Sequence, residues 1–166
     1  MAINSIKNNK GFTIIEIATV ILVIGVGIFS LVNLGAFVYR SVAESKQYEK
    51  ASLMAQEAME AARNFRDASD WGTDGLGSLD TSLVYHPVRV ATATGSSWQL
   101  AAGPERVRGF DRRVLVQKVS RDPATAGPEV VYDPANNDPD TRKVEVRVEW
   151  QGNSVVLSQY LTNWQP

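Results

Sequence analysis

The sequence predicts an α+β fold in which one long N-terminal helix packs on a C-terminal antiparallel β-sheet. A stretch without proline runs from the apolar segment Ile17–Tyr39 as far as Asp67, which favours a single helix. After a turn-rich segment, the apolar period changes from that of a helix to the two-residue period of strands. The 166 residues allow one modest domain beyond a membrane segment.

The N-terminal segment has the composition of a membrane span. Ile17–Tyr39 covers 23 residues without a charge, and about 20 apolar residues cross the hydrocarbon core as a helix. The ten residues before Gly11 contain Lys7 and Lys10 and no acid. By the positive-inside bias these lysines stay in the cytoplasm, so the rest of the chain faces outward.

Glu16 is a lone carboxylate at the membrane end of this segment. A carboxylate in hydrocarbon costs roughly 2.5–3.5 kcal/mol and usually has a functional partner. A secretory signal is cut after its apolar region, whereas here the small residue Gly11 precedes it. Cleavage after Gly11 would free an amine at Phe12, which shares a helix face with Glu16 at spacing i, i+4. The alternative is that Glu16 lies at the headgroups of a one-pass anchor.

The second half of the predicted helix, Arg40–Asp67, is amphipathic and contains no Pro or Gly. Its small apolar residues suit close packing on a sheet, although an anchor followed by a coiled-coil stalk would also contain such a stripe. The stripe consists of Tyr48, Ala51, Ala55, Ala58, Ala62 and Phe65.

Turn residues from Asp70 to Gly77 end the helix, and strand candidates follow. The short candidates are Leu83–Tyr85 and Val88–Val90, predicted to be broken by Pro87, and Ser97–Leu100; the strong ones are Phe110–Val119, Arg142–Trp150 and Ser154–Leu161.

The last two strand candidates should form an antiparallel hairpin, because Gln151-Gly152-Asn153 supplies a tight turn between them. Glu145, Arg147 and Glu149 face water, and the opposite face needs the helix as its cover. That inner face consists of Val144, Val146, Val148 and Trp150.

One motif resembles the cleavage and methylation site of type IV prepilins, the family of pilus subunits and type II secretion pseudopilins. The motif is Lys10-Gly11-Phe12-Thr13-Ile14-Ile15-Glu16, with Ile14 where the usual pattern has Leu. The resemblance implies cleavage after Gly11 by prepilin peptidase, N-methylation of Phe12, and filament assembly in which Glu16 sets the register. It also implies the pilin fold.

The C-terminal strands resemble the last strands of minor pilins, on Arg142–Trp150, Ser154–Trp164 and Phe110–Val114. The implied partners are other pilin subunits, prepilin peptidase, an inner-membrane assembly platform and, before assembly, membrane lipid. The chain then divides into a cytoplasmic leader 1–11, a transmembrane and filament-core helix 12–39, an amphipathic helix 40–67, a variable connection 68–109 and a sheet 110–164.

Composition and the remaining motifs argue against an enzyme. The chain has no cysteine, and its 17 basic and 18 acidic residues give no bulk charge for nucleic acid. No cofactor is predicted, and His86, the one histidine, has no nucleophile motif nearby. Arg106, Arg108, Arg112 and Arg113 are interrupted by Glu105 and Asp111, which favours a solvated strand edge; a weak calcium candidate is the loop containing Asp133, Asn136, Asp138 and Asp140.

Three functions are therefore expected in order. The first is a pilin-like subunit, most of all a minor pilin, in the inner membrane and then on the cell surface. The second is a type II secretion pseudopilin. The third is a single-pass anchored extracytoplasmic binding domain that never polymerises.

Overall fold

The computed structural model describes Gly11, residues 13–92 and residues 95–164, and it has the predicted α+β fold. Helix α1 spans Ile14–Ala68. A short 3₁₀ helix, Pro134–Asn136, precedes the fifth strand. The six strands are β1 Val84–Thr92, β2 Gly95–Ala102, β3 Glu105–Val107, β4 Phe110–Ser120, β5 Asn137–Trp150 and β6 Asn153–Thr162.

All strand pairs are antiparallel, in the order β2-β1-β4-β5-β6, and β3 pairs with the start of β4 beside β1. The chain forms two compact units that divide at Lys46 and Gln47, inside α1. The second unit contains the entire sheet and the helical residues that pack on it.

The second unit is held together by the predicted alanine stripe of α1 and the valines of the sheet. Ala51, Ala55, Ala58 and Ala62 are at most 1 % exposed, and Phe65 is buried with them. These alanines and the valines of the sheet belong to one buried cluster. The facing core residues on β4 and β5 include Val114, Val116, Val144, Val146 and Val148, each fully buried.

Tyr48 departs from the prediction, because it is 44 % exposed rather than part of the buried stripe. Its ring packs edge-on against Trp150 with centroids 4.9 Å apart, and its hydroxyl donates to Asn153 Oδ1 at 3.1 Å. The ring therefore closes one end of the core and keeps its hydroxyl at the surface. Two buried residues of the same helix, Met59 and Ala61, were not predicted.

The predicted C-terminal hairpin is confirmed. Trp150 pairs with Asn153, and the two residues between them have positive φ, 44° at Gln151 and 83° at Gly152. Positive φ at both positions is the type I′ geometry that suits two-residue hairpins. β5 begins at Asn137, five residues before the predicted start. The reason is that β4 and β5 stay paired beyond the register shift between Lys118 and Val119.

The prediction that Pro87 breaks a strand is wrong. Pro87 lies inside β1 and pairs with Leu100 of β2. The Gly103 N–H donates to the Val84 carbonyl at 2.7 Å, so by alternation the backbone N of Pro87 points away from β2. β4 pairs with β1 only as far as Tyr85, so no ladder bond is lost at Pro87.

The segment 68–109 contributes three strands to the sheet, including β3, which was not predicted. β3 has only three residues, too few to show a period. It is fixed by a second two-residue turn, with φ of 51° at Arg108 and 88° at Gly109, which returns the chain into β4. The short strand thus depends on the turn and on pairing rather than on its own pattern.

Candidate functional site

The predicted site lies at the start of α1, where Thr13 and Glu16 form a helix cap. The N–H groups of Glu16 and Ile17 donate to the Thr13 carbonyl at 3.0 and 3.2 Å. The Glu16 Oε2 accepts from the Thr13 N–H at 3.4 Å and from its hydroxyl at 3.5 Å, both at the long limit of hydrogen bonding. Glu16 therefore covers a backbone donor that the helix itself leaves unpaired, which also places its charge at the positive end of the helix dipole.

This cap was missed in the sequence, although its signal is present. Thr13-Ile14-Ile15-Glu16 has the T-x-x-E spacing of a capping box, in which the third helical residue returns to the backbone N–H of the cap residue. The same four residues belong to the prepilin-like motif. Glu16 therefore has a role within its own chain, whether or not it also meets an amine.

The predicted cleavage bond joins a described residue to one outside the described part. Phe12, the predicted methylation site, lies outside the described residues, as do Lys7 and Lys10. Gly11 is exposed, and within the described chain no heavy atom lies within 4 Å of a Cβ placed on it. Crowding by that part of the chain therefore does not require glycine at position 11.

The first unit presents an apolar surface along α1. The most apolar window of this helix has a mean hydropathy of 2.6 and no buried residue, so α1 is a candidate membrane span. Large side chains such as Ile21, Phe29 and Phe37 are 65–71 % exposed. Exposed apolar area of this extent is what a lipid or protein partner covers.

The polar side chains of this apolar stretch have partners within the helix. Thr19, Ser30 and Asn33 each donate to the backbone carbonyl four residues earlier, at 2.7, 2.8 and 2.9 Å. In lipid an unpaired polar group is costly, so these internal bonds suit the segment to a membrane. The helix continues without a break through Gly25, Gly27 and Gly35, and the described chain leaves open space at each of them.

In the loop that is the weak calcium candidate, the polar side chains of the first half bond to neighbouring groups. Asp133 Oδ1 accepts the Ala135 N–H at 2.9 Å and caps the 3₁₀ helix. Asn136 Nδ2 donates to Glu129 Oε1 at 3.4 Å.

The second half of that loop is held by an ion pair. Arg121 Nε donates to Asp138 Oδ2 at 2.5 Å, and the Asp140 N–H donates to Asp138 Oδ1 at 3.0 Å. Burial raises the pKa of Asp138, but hydrogen bonds from Thr141, Arg121 and Asp140 outweigh burial and lower that pKa below its ordinary value. Among the described residues there is no group of three or more His, Cys, Asp or Glu side chains placed to hold a metal ion.

The four arginines near the start of β4 do not form one basic surface. Arg112 is 5 % exposed and donates to Glu105, with Nε at 3.0 Å, and to Glu57 of α1 at 3.3 Å. Arg106 lies 3.7 Å from Asp111, and Arg113 lies 3.4 Å from Glu149. Arg108 occupies the turn into β4. Acidic partners thus offset most of the charge that a phosphate backbone would need.

His86 lies within β1 and is half-buried. Its Nδ1 is 2.8 Å from the Gly103 carbonyl oxygen, which can only accept, so Nδ1 donates this hydrogen bond. The contact ties the ring to the backbone at the end of β2. This is a structural use of the histidine.

Comparison with protein-family models, with curated proteins and with solved structures found no match. The functional argument therefore depends on the residues and their geometry.

Proposed function

We propose that the chain is a structural subunit of a type IV pilus-like filament and, within that class, a minor pilin. The leader would be cleaved after Gly11 by prepilin peptidase, and Phe12 would be N-methylated. One observation carries the proposal: a single carboxylate, Glu16, stands at the start of an exposed helix that has no other charge before Arg40.

The exposed helix supplies the assembly surface in this proposal. Before assembly it would lie in the inner membrane, with the C-terminal unit outside. In a filament, the apolar helices of neighbouring subunits would cover one another, so the area that lipid covers first is later covered by protein. Prepilin peptidase and the inner-membrane assembly platform are the further partners that this function requires.

Glu16 supplies the register in this proposal. Cleavage after Gly11 leaves a positive amine on Phe12, one residue before the Thr13 N–H that Glu16 already accepts. An ammonium at the positive end of a helix dipole is unfavourable, so it gains from a carboxylate of its own or of a neighbouring subunit. A subunit that enters the filament would then stop at the position where such an amine–carboxylate pair forms.

A second function is favoured by the capping box. Because the Thr13–Glu16 contact would serve any anchored helix, it is also consistent with a single-pass domain that never polymerises. The type II secretion pseudopilin remains the alternative within the filament proposal, since it would use the same helix and the same site.

Two variants of Glu16 separate a role in register from a role in helix capping. Glu16→Gln keeps a capping side chain, because Glu and Gln both serve in capping boxes, but it removes the charge. Glu16→Ala removes both. We expect both variants to reach the membrane and to be cleaved, and both to fail to enter filaments, which is measured by immunoblotting of the sheared surface fraction.

If Glu16→Gln enters filaments at the wild-type level and Glu16→Ala does not, Glu16 is only a capping residue and its role in register is refuted. Gly11→Leu tests the cleavage site separately. We expect unprocessed precursor in the membrane, with Gly11→Ala as the matched small-residue control. Normal processing of Gly11→Leu would refute the assigned bond.

A further inference from the structure

The connection between β4 and β5 presents two apolar side chains to solvent. Val130 is fully exposed, and Val131 is 79 % exposed. They lie in a short segment, residues 129–133, which we call the valine loop. The N–H groups of its first and last residues donate to the carbonyl and the hydroxyl of the buried Ser120, at 2.8 and 2.9 Å. The loop is thus held in one shape with its valines outward, which suits it to a partner that covers them.

A groove between α1 and the turn from β3 to β4 combines apolar side chains with two cations. Its volume is about 320 Å³, the share of about ten waters in the liquid. Leu53 is 57 % exposed in this groove. Neither Lys50 nor Arg108 forms an ion pair with the described part of the chain. The basic groove, as we call it, is lined by Gln47, Lys50, Leu53, Met54, Arg108 and Phe110.

The valine loop and the basic groove lie at opposite ends of the sheet. β4 begins at Phe110, in the groove, and ends at Ser120, which holds the loop; its 11 residues span about 35 Å. β6 has the same direction as β4, because both are antiparallel to β5. Tyr48 of α1 bonds to the start of β6, and Asp67 of α1 bonds to Trp164 beyond its end. Along the part of α1 that packs on the sheet, the groove therefore comes first and the loop comes last.

We propose that the valine loop of one copy of the chain inserts into the basic groove of a second copy within the filament. The two copies then have α1 in the same direction and are offset along it by about the length of β4. Because two different surfaces meet, the contact does not close on itself and adds copies in one direction. The inference rests on the proposed function: two copies anchored in one membrane lie at the same height, whereas a filament offsets its subunits along its axis.

Charge complementarity supports a second copy as the occupant of the groove. The segment 128–140, which contains the valine loop, has four acidic residues and no basic residue. Glu129 and Asp133 are each two residues from Val131, at most about 7 Å along the chain, which is within the Debye length of about 8 Å at physiological salt. When the valines enter the groove, these acids would meet the two cations that have no acidic partner in their own copy.

Introduced cysteines test the contact, because the chain has none of its own. Val131→Cys and Leu53→Cys replace exposed side chains, so both full-length chains should fold. The two variants are produced together in cells that lack the unmutated chain. The sheared surface fraction and the membrane fraction are then treated with a short bismaleimide, which tolerates a longer separation than a disulfide does. Cross-linked dimers are measured by immunoblotting.

We expect the mixture to give several-fold more dimer in the sheared fraction than either variant alone, and only background in the membrane fraction. A single chain with both cysteines should give dimers and higher multimers, because the contact is head-to-tail. Val90→Cys, at an exposed position of β1, replaces Val131→Cys as the matched control and should give background. Lys50→Glu, added to the Leu53→Cys chain, reverses a charge of the groove and should reduce the dimer yield several-fold.

Three results would overturn the contact, and they are distinguishable from one another. Cross-linking of Val131→Cys alone to the level of the mixture would indicate a two-fold contact between valine loops instead. Background cross-linking of the mixture, in cells whose unmutated chain reaches the sheared fraction, would overturn the contact and leave the proposed function standing. Absence of the unmutated chain from the sheared fraction would overturn the proposed function and the contact together.

Discussion

The packing of the alanine stripe on the sheet can be tested with a larger side chain in the stripe. Ala58→Leu adds an isopropyl group at a position that is fully buried between α1 and the valines of β4 and β5. Overpacking of a dense core costs about 1–3 kcal/mol. We expect the upper part of this range, about 2–3 kcal/mol, because Ala58 has no route to solvent and the facing valines are fully buried.

The assay is thermal unfolding of the full chain in detergent, followed by near-ultraviolet circular dichroism and tryptophan fluorescence, since Trp150 is buried in the same core. At about 4 °C per kcal/mol, the expected fall in melting temperature is about 8–12 °C. Ala43→Leu, at an exposed position of the same helix, is the matched control and should change the melting temperature by about 2 °C at most. Equal melting temperatures of the two variants would refute the packing of the stripe on the sheet.

Three further predictions concern the C-terminal unit. Arg112→Ala should lower the free energy of unfolding by about 1.5–3 kcal/mol, because hydrogen bonds to charged groups are lost. Arg113 is half-exposed, so Arg113→Ala should lower it by less than about 1 kcal/mol in the same denaturant titration. Similar losses in the two variants would contradict the buried role of Arg112. Hydrogen bonds from the Thr73 hydroxyl and from the N–H groups of Thr73 and Gly72 lower the pKa of Asp70 below 3.8, so the contribution of Asp70 to stability is present above about pH 4 and is lost as the pH falls through the folded-state pKa. Asp70→Asn should therefore reduce the fall in melting temperature at acid pH. An unchanged pH profile of the melting temperature would contradict this. Calcium should leave the melting temperature unchanged, because Arg121 and local backbone groups use the oxygens of the loop 133–140, and a rise that grows with calcium concentration would reveal a site there.

The long helix and the last hairpin were predictable because each has a strong local signal. The alanine spacing fixes one helix face, and the alternation of Val144, Val146 and Val148 with charged residues fixes one strand face. The turn at Gln151 and Gly152 then sets the register of the two strands. These elements need no knowledge of the rest of the fold.

Other features depend on tertiary neighbours that a linear pattern does not give. Pro87 is tolerated only because its part of β1 has an open side, and β3 exists only through its pairing with β4. Tyr48 is not buried with the stripe, because its ring packs edge-on against Trp150 at the margin of the core. In the site, by contrast, the capping box has a local signal, the T-x-x-E spacing of Thr13 and Glu16.

The valine loop and the basic groove could not be assigned from the sequence either. Val130 and Val131 are visible as an apolar pair, but their outward position depends on the two bonds that hold the loop to Ser120. The groove depends on how α1 meets the turn from β3 to β4. Only the order and direction of the strands show that the loop and the groove lie at opposite ends of the sheet.

The most direct test of the proposed function is the intact mass of the protein recovered from its native membrane or from sheared cell surface. The proposal predicts a mass that lacks residues 1–11 and includes one added methyl group, located at Phe12 by fragmentation. A full-length, unmodified mass from both fractions would contradict pilin-type maturation and would make the chain a single-pass anchored domain.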